Sequence, residues 1–325
     1  MQTHAIRIHA HGGPGQLRWE QLPLPRPAPG EVLLRQTAIG LNYIDTYHRS
    51  GLYPVPLPSG LGSEGAGEVL DVGDGVRDLR AGDRVAYASG PLGAYAEART
   101  MPAAVLVKLP DAIDDRRAAA MMLQGMTVEY LIRRCHAVQR GDTVLLHAAA
   151  GGVGLLASQW LKHLGATVIG TAGGEAKAAL ARAHGCDHVI DYRREDVAAR
   201  VRELTDGKGV PVVYDGVGRD TFAGSLASLA PRGLLVSFGN ASGAVEPFAP
   251  GVLAANGSLY LTRPRLGDYI ATRDELLASA AALFAVVQSG AVKIGIGQSY
   301  ALRDAAQAHR DLEARRTTGS TVLLP

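Results

Sequence analysis

The sequence predicts an α/β protein in which a mostly β N-terminal domain precedes a doubly wound parallel sheet. Two observations carry this prediction. Buried-strand and helix patterns alternate between residues 143 and 238, and this alternation is typical of a parallel sheet. Before residue 125 the pattern differs, because short strand-like segments are separated by turns rich in Gly and Pro.

In the first 125 residues, turn signals such as the proline-rich stretch 23–30 separate the candidate strands. We predict strands over residues 5–9, 32–38, 66–72, 84–88, 94–98 and 105–109. A helix begins near Asp114 or Asp115, either of which is a good N-cap residue, and extends to Met122. Gly125 is expected to interrupt it before a second helix over 127–134, so the domain boundary is predicted near Gly125.

The most informative stretch is Thr143–Leu146, followed by His147, three alanines and the glycine-rich segment 151–154. An apolar run that stops in small residues and then resumes with helical spacing predicts strand, tight turn and helix. Ala148, Gly151 and Gly154 form an AxxGxxG pattern, a relaxed dinucleotide-binding fingerprint. Glycines there let backbone N–H groups approach a pyrophosphate, and the helix N-terminus favours its negative charge.

The alternation continues after this unit. We predict strands over 167–170, 188–190, 210–215 and 233–238, and helices over 175–184, 195–205 and 221–229. Beyond residue 261, a helix over 273–288, a strand over 292–296, a helix over 303–313 and a strand over 320–324 do not extend it. These last elements form either a third unit or a return to the first domain.

Composition excludes several classes of protein. A chain of 325 residues suggests about two domains, and a net charge of +2 without a clustered basic face argues against a primary nucleic-acid partner. Two cysteines are too few for a disulfide framework, which favours a reducing compartment such as the cytoplasm. We expect no signal peptide, because the N-terminus beginning Met1-Gln2-Thr3-His4-Ala5-Ile6 lacks a long apolar core. We expect no membrane partner, because no uncharged apolar run reaches spanning length.

The residues that follow the second strand of the alternation indicate which dinucleotide cofactor binds. In folds that prefer NAD, an acidic residue about 20 positions past the glycines holds the ribose 2′-OH. Here the strand ends in Ala172, Gly173 and Gly174 without an acid; Lys177 follows, and residues 192–194 (Tyr-Arg-Arg) close the third strand. A missing carboxylate and available cations favour a 2′-phosphate, so NADPH is predicted over NADH.

Metal and nucleophile chemistry are not indicated. Cys135 and Cys186 lie around the cofactor strands, the ten histidines show no HExxH pattern, and no GxSxG elbow is present. We therefore expect no metal site, and the cofactor must carry the reaction.

Motifs along nearly the whole chain resemble one known family. They are His11-Gly12-Gly13-Pro14, Ala38-Ile39-Gly40-Leu41-Asn42-Tyr43-Ile44-Asp45-Thr46-Tyr47, Ser50-Gly51-Leu52-Tyr53-Pro54, Ala81-Gly82-Asp83-Arg84-Val85, the stretch 147–154, Val212-Val213-Tyr214-Asp215-Gly216-Val217-Gly218, Val236-Ser237-Phe238-Gly239-Asn240 and Gly257-Ser258-Leu259-Tyr260-Leu261-Thr262-Arg263-Pro264. The chain resembles the zinc-free quinone oxidoreductase (zeta-crystallin-like) branch of the medium-chain dehydrogenase/reductase superfamily.

This resemblance implies a GroES-like catalytic domain over 1–125, a Rossmann NADP-binding domain over 126–265 and a C-terminal segment, 266–325, that returns to the catalytic domain. It implies an active site in the cleft between them and reduction of a quinone by NADPH. Zinc-dependent members carry Cys where Asn42 stands and His where Ser63 stands, which agrees with the expected absence of metal.

The resemblance also assigns residues. The pyrophosphate contacts are Gly151, Gly152, Val153 and Gly154; the ribose-phosphate contacts are Gly173, Lys177, Tyr192 and Arg315; the nicotinamide end is lined by Asn42, Tyr47, Thr127, Phe238, Gly239, Asn240 and Thr262. Tyr53 joins Tyr47 in the substrate pocket, and the catalytic candidates are Asn42, Tyr47, Tyr53 and Thr127. Read without the resemblance, Asn42 is an N-cap for a helix over 45–49. Two departures from close relatives stand out: Gln124 in place of Lys, and Gly216 in place of Ser.

Two other functions remain open. One is NADPH-dependent reduction of an activated C=C bond in an enal, enone or enoyl thioester, with Tyr47 or Tyr43 as proton donor. The other is an NADPH-binding protein with a structural or RNA-binding role, as for some relatives. The resemblance further implies a homodimer, and an exposed strand near 258–261 is a candidate for its interface.

Overall fold

The chain divides into two compact units, and the computed structural model describes all 325 residues of them. The first unit comprises Met1–Met126, Ile270–Gln288 and Ile294–Pro325. The second comprises Thr127–Tyr269 and Ser289–Lys293. Each unit has its own hydrophobic core.

The N-terminal part of the first unit is mostly β, as predicted. Its strands are β1 (Gln2–Ile8), β2 (Arg18–Pro23), β3 (Glu31–Leu41), β4 (Ser59–Gly60), β5 (Gly65–Val72), β6 (Arg84–Tyr87), β7 (Ala98–Pro102) and β8 (Val107–Lys108). Its helices are α1 (Tyr43–Ser50) and α2 (Asp115–Ala119), and α3 (Met122–Tyr130) leads into the second unit. The predicted cap is confirmed, because the Asp114 carboxylate accepts the Arg117 N–H at 2.9 Å.

Two local predictions here are wrong. Residues 94–97 do not form a strand, because Ala96 makes only an isolated bridge to Ala5 and β7 begins at Ala98. Gly125 does not interrupt a helix but lies inside α3, where a β-carbon would approach Leu283 Cδ1 to 2.4 Å. This glycine is present because a neighbouring side chain packs directly on the helix backbone, and a local pattern does not report such a contact.

The second unit is a six-stranded parallel sheet with helices between its strands, which confirms the predicted fold class. Its elements are β9 (Thr143–Leu146), α4 (Gly152–Leu164), β10 (Thr167–Ala172), α5 (Glu175–Ala183), β11 (His188–Asp191), α6 (Val197–Leu204), β12 (Val210–Asp215), α7 (Phe222–Ser228), β13 (Leu229–Ser237), α8 (Gly251–Ala255), β14 (Tyr260–Thr262) and α9 (Leu266–Tyr269). The strand order is β11-β10-β9-β12-β13-β14, so all six carboxyl ends meet at one edge.

The remaining elements are α10 (Arg273–Gln288), β15 (Ile296–Ala301), α11 (Ala305–Glu313) and β16 (Ser320–Leu324). Strand β16 pairs antiparallel with β3, Thr321 opposite Leu41, and thereby adds the end of the chain to the sheet of the first unit. The strand predicted over 292–296 is instead β15, displaced toward the C-terminus.

Residues 289–293 belong to the second unit because α4 holds them. The Gln159 side chain donates to the Lys293 carbonyl at 3.0 Å and accepts the Lys293 N–H at 2.9 Å. No helix of the chain combines the length and the apolar character needed to span a lipid bilayer.

Candidate active site

The turn between β9 and α4 places glycines against bare backbone. A β-carbon on Gly154 would lie 2.4 Å from the Ala148 carbonyl oxygen, so α4 approaches the strand end only because Gly154 has none. A β-carbon on Gly151 would meet nothing closer than that oxygen at 3.3 Å. That oxygen contact is tight, but no other atom lies within 4 Å of the β-carbon position, so the surroundings of Gly151 are otherwise open. Gly151 is at the N-terminus of a 13-residue helix, where an anionic group is favoured.

Ala148 has a φ of 54°, a left-handed conformation that is costly for a residue with a side chain. Its neighbours hold it in place. The Ala148 N–H is 3.3 Å from the Thr171 hydroxyl oxygen, and the Ala149 N–H donates to the Thr171 carbonyl at 2.9 Å. The first position of the AxxGxxG pattern thus adopts the turn that glycine usually supplies, supported from β10.

His147 connects this turn to a buried carboxylate. Ser225 Oγ donates to Asp215 Oδ2 at 2.7 Å and lies 3.0 Å from His147 Nε2, so Nε2 carries the proton that Ser225 accepts. His147 Nδ1, 3.1 Å from Thr171 Oγ1, then accepts the threonine proton. Burial lowers the pKa of His147, which keeps the ring neutral in this arrangement. The Ser225 hydroxyl donates its proton to Asp215 and not to His147, so His147 does not activate it as a nucleophile. The role of this network is to support the turn.

The end of β10 faces aromatic and cationic side chains. A β-carbon on Gly173 would lie 2.5 Å from the Tyr192 hydroxyl and 3.1 Å from Arg193 Nε. Asp191 Oδ1 accepts the N–H groups of Gly174 and Arg193, each at 3.1 Å, which lowers the pKa of that carboxyl. Asp191 therefore fixes the turn that carries Arg193. Arg193 is not among the ribose-phosphate contacts predicted from the sequence, although the sequence places it directly after the third strand.

The ends of β12 and β13 also touch through glycines. A β-carbon on Gly216 would lie 2.9 Å from Phe238 Cζ, and one on Gly239 would lie 2.3 Å from the Gly216 carbonyl oxygen. The Phe238 N–H donates to the Asp215 carbonyl at 2.8 Å. Phe238, Gly239 and Asn240 consequently follow the carboxyl end of β13 in a fixed loop.

In the first unit, Asn42 is the N-cap of α1, as predicted, and its backbone N–H donates to Asp45 Oδ2 at 2.9 Å. Its side chain has other partners. Asn42 Nδ2 donates to Glu64 Oε2 at 2.6 Å, and Asn42 Oδ1 accepts from Gln124 Nε2 at 3.0 Å. Ser320 Oγ donates to Gln124 Oε1 at 2.8 Å. The amide of Asn42 is therefore held on both sides.

Glu64 is fully buried beside this amide. A β-carbon on Gly40 would lie 2.1 Å from Glu64 Oε2, so the carboxylate has space only because residue 40 is glycine. Leu123 N–H, at the start of α3, donates to Glu64 Oε1 at 2.7 Å. Burial raises the pKa of Glu64 to about 8, although the hydrogen bonds from Asn42 and Leu123 oppose the shift. Sequence reasoning did not assign a role to Glu64, Gln124 or Ser320.

A second buried network lies beneath α1. Tyr95 donates to Asp45 Oδ2 at 2.9 Å, and its oxygen is 3.1 Å from His309 Nε2. Arg49 Nη1 donates to His309 Nδ1 at 2.9 Å, so Nε2 is the protonated nitrogen. Burial and Arg49 lower the pKa of His309 to about 3, and burial raises the pKa of Asp45 to about 7. Helix α1 is thereby anchored to α11.

Tyrosines line the other side of α1. The Tyr47 ring lies 5.1 Å from that of Tyr53, edge to face, and 6.3 Å from that of Tyr43. The Tyr53 N–H donates to the Tyr47 carbonyl at 3.1 Å, and the Tyr43 hydroxyl donates to the Leu312 carbonyl at 3.2 Å. Tyr47 and Tyr53 thus lie together, in the unit that also contains Asn42.

The other predicted residues divide between the units. At or beyond the carboxyl edge of the parallel sheet lie Gly151, Gly152, Val153, Gly154, Gly173, Tyr192, Phe238, Gly239, Asn240 and Thr262, with Lys177 in the first turns of α5. Thr127 is buried in α3. Arg315 follows α11 in the first unit, exposed and with a φ of 59°.

No group of three or more His, Cys, Asp and Glu side chains is arranged to hold a metal ion. A cavity of about 470 Å³ lies elsewhere in the second unit, away from the carboxyl edge. Its lining is Cys135, His136, Pro211, Ala230, Pro231, Arg232, Gly233, Leu234 and Tyr260, mostly at the amino ends of β12, β13 and β14. Ligands of parallel sheets bind at the carboxyl ends, so we do not place the active site in this cavity.

Comparison with known proteins agrees with this geometry. Residues 28–111 match the alcohol dehydrogenase GroES-like domain, and residues 152–280 match the zinc-binding dehydrogenase family. A quinone oxidoreductase of Pseudomonas aeruginosa is 57% identical over 98% of this chain and 99% of its own length. A 2-haloacrylate reductase of a Burkholderia species is 46% identical over 99% of this chain and 98% of its own length.

A solved structure is similar over the same extent. The Escherichia coli quinone oxidoreductase in complex with NADPH superposes with a TM-score of 0.98 at 50% identity, covering 99% of this chain and 100% of that one.

The His147 network generates a prediction about stability. Ser225→Ala leaves His147 Nε2–H without its acceptor and removes one donor from Asp215, so unfolding should become easier by about 1–3 kcal/mol. Ser228→Ala is the matched control, because this equally buried serine of α7 bonds only to the Gly224 carbonyl of its own helix and should cost less than about 1 kcal/mol. Urea unfolding of both variants measures the difference. Equal losses would show that the network adds nothing to the turn.

Proposed function

This chain belongs to the quinone oxidoreductase family of the medium-chain dehydrogenase/reductase superfamily, and we propose that it reduces quinones with NADPH as its cofactor. Full-length similarity to quinone oxidoreductases is the observation that carries the proposal. We further propose that the first unit is the catalytic domain and that the second binds NADPH.

The glycine turn after β9 fits the pyrophosphate of NADPH. The space beside Gly151 and the N-terminus of α4 suit an anionic group that approaches backbone N–H groups. We assign the pyrophosphate to Gly151, Gly152, Val153 and Gly154.

The end of β10 fits the adenosine 2′-phosphate. Residues 172–174 at the end of β10 include no acid, and the Glu175 carboxylate that follows is paired with Arg182. The Tyr192 hydroxyl and the Arg193 guanidinium lie against Gly173. A guanidinium offers paired N–H donors that match phosphate oxygens. We assign this phosphate to Arg193, with Lys177 and Tyr192 beside it, and retain Arg315 from the family resemblance.

By the same resemblance, we assign a further set of residues to the nicotinamide and quinone end. They are Asn42, Tyr47, Tyr53, Thr127, Phe238, Gly239, Asn240 and Thr262. When bound, NADPH supplies the reducing equivalents that convert the quinone to its reduced form. The Asn42 amide offers hydrogen bonds, the Tyr47 and Tyr53 rings offer apolar surfaces for a flat substrate, and a Tyr hydroxyl or water delivers the proton.

We propose that the reaction needs no zinc. Asn42 presents an amide where zinc-dependent members have a thiolate, and this amide is bonded on both sides by Glu64 and Gln124. A quinone is already electron-poor, so positioning beside the cofactor replaces a Lewis acid. Two free cysteines, Cys135 and Cys186, support a cytoplasmic location.

One specific observation favours a second activity. The 46% identical relative is named for reduction of a haloacrylate, an activated C=C bond. The clustered tyrosines Tyr43, Tyr47 and Tyr53 carry hydroxyls of the kind that deliver the proton in such a reduction. Reduction of an activated alkene is therefore the alternative, and the first experiment includes it.

The first experiment follows oxidation of NADPH and of NADH with ortho- and para-quinones, an enone, an enoyl thioester and 2-chloroacrylate, each with and without a chelator. We expect NADPH-dependent turnover of quinones that the chelator does not change. Turnover of alkenes alone would contradict quinone reduction and support the second activity. Loss of turnover with chelator would contradict the proposal that no zinc is needed. NADPH binding without turnover of any acceptor would favour a non-catalytic role.

The cofactor assignment predicts a selective effect at Arg193. Arg193→Ala should raise the KM for NADPH about 10-fold or more and leave the KM for NADH unchanged, because only NADPH carries the 2′-phosphate. Arg194→Ala is the matched control, since the neighbouring guanidinium is 85% exposed and only loosely paired with Asp191 at 3.9 Å. Steady-state kinetics with both cofactors distinguish the two variants. A similar rise for both cofactors would remove Arg193 from the phosphate site.

We propose that the chain forms a homodimer through β14. This strand is the edge of the parallel sheet, and Tyr260 is 64% exposed there. Pairing of two β14 edges would extend the sheet across a twofold axis. Light scattering should give twice the 34.0 kDa of one chain, and Tyr260→Asp should halve that mass while Trp19→Asp, an exposed aromatic on β2, should not. A wild-type mass of one chain would refute the dimer.

A further inference from the structure

Four buried side chains of the first unit form a hydrogen-bond chain with a single direction. Ser320 donates to Gln124, Gln124 to Asn42, and Asn42 to Glu64, so every donor points toward the carboxylate. All four residues are 7% exposed or less, so water cannot easily replace a missing partner. The chain forms where three strand ends meet: β16 begins with Ser320, β3 ends before Asn42, and β5 begins after Glu64.

Helix α3 fixes the far end of this chain. Leu123 is the second residue of α3, so its N–H has no acceptor within the helix and donates to Glu64 Oε1 at 2.7 Å. A backbone N–H cannot reverse. Whichever atom of residue 64 faces Leu123 must therefore be an acceptor.

This constraint determines what a neutral side chain at residue 64 would do. A glutamine, or a protonated glutamate, must turn its acceptor to Leu123 and present its donor to Asn42. The Asn42 amide must then turn over so that Oδ1 accepts, Gln124 must turn in response, and the Ser320 hydroxyl becomes an acceptor. The Asn42 amide also has one N–H and one lone pair that take no part in this chain. When the amide turns over, these two groups exchange positions.

We propose that Glu64 is a positioning residue for Asn42, and that its carboxylate sets the direction in which the Asn42 amide meets the substrate. This inference rests on the proposed function, which assigns Asn42 to the nicotinamide and quinone end. Glu64 itself acts only through Asn42.

The charge state of Glu64 should therefore be visible in the kinetics. Burial, with a contribution from Asp45 of α1, raises the pKa of Glu64 to about 8. The other groups facing it are Tyr87 on β6, Tyr95 and the N-terminus of α3. Above this pKa the chain points toward Glu64, and below it the protonated acid produces the reversed chain.

Two variants test the direction. Glu64→Gln imposes the reversed chain at every pH. The double variant Glu64→Gln with Gln124→Glu moves the carboxylate to the other side of Asn42, so both hydrogen bonds of the Asn42 amide are reversed. Ser320 still donates to residue 124, every member of the chain is bonded, and the net charge is unchanged. Ser320→Ala is the control, because it removes the last donor and leaves the direction set by Glu64.

The measurement is kcat/KM for tetramethyl-1,4-benzoquinone at saturating NADPH from about pH 6 to about pH 9. The wild-type value should exceed that of Glu64→Gln about 10- to 100-fold near pH 9, because one well-aligned hydrogen bond contributes on that order, and the two should converge near pH 6. The double variant should stay low across the range, Ser320→Ala should follow wild type, and the Kd for NADPH should not change. A ratio of wild type to Glu64→Gln that is constant with pH, or a double variant as active as wild type, would overturn the proposal.

A second measurement on the wild-type protein does not depend on turnover or on the folding of a variant. The side-chain amide resonances of Asn42 and Gln124, identified by their loss in Asn42→Asp and Gln124→Glu, should shift together in ¹⁵N NMR spectra between about pH 6 and about pH 9. If quinones are not substrates, the proposed function fails while these shifts still test the chain. Resonances that stay constant over this range would refute control of Asn42 by Glu64.

Discussion

The buried carboxylate of Glu64 is the group on which the arrangement of the first unit depends. When it is charged, a carboxylate with no exposed surface must be satisfied by donors. Here the donors come from different parts of the chain: the amide of Asn42 after β3 and the backbone of Leu123 at the start of α3. Gly40 supplies the space. Strand end, helix start and carboxylate are held together because each satisfies a polar group that the others would leave buried and unpaired.

The second unit uses a similar solution at the end of a parallel strand. Asp215 accepts from the hydroxyls of Thr221 and Ser225, and Ser225 links it to His147 and the turn after β9. The positive φ of Ala148 is tolerated because this network and β10 fix the backbone on both sides. In both units a polar network beneath the surface holds the backbone from which the assigned contacts project.

Local signals predicted most of the elements. The alternation between residues 143 and 238, the Asp114 cap and the Asn42 cap are all consequences of residues close together in the chain, and each was confirmed. The wrong predictions arise from contacts between residues that are distant in sequence. Glycine is a poor helix former, so Gly125 predicts a helix break, yet it lies inside α3 because the Leu283 side chain packs where a β-carbon would be.

The sequence alone determined the glycine turn and the lack of an acid at the tip of β10, residues 172–174. The predicted preference for a phosphorylated cofactor follows from these features, which depend on residue type and short spacing. Tertiary structure alone decided that Ser320, Gln124, Asn42 and Glu64 share one chain and that Arg193 lies against Gly173. Strand pairing brings Thr321 opposite Leu41 although the two residues are nearly the whole chain apart. Such a register follows from the packing of both sheet faces at once, and no local pattern of residues contains it.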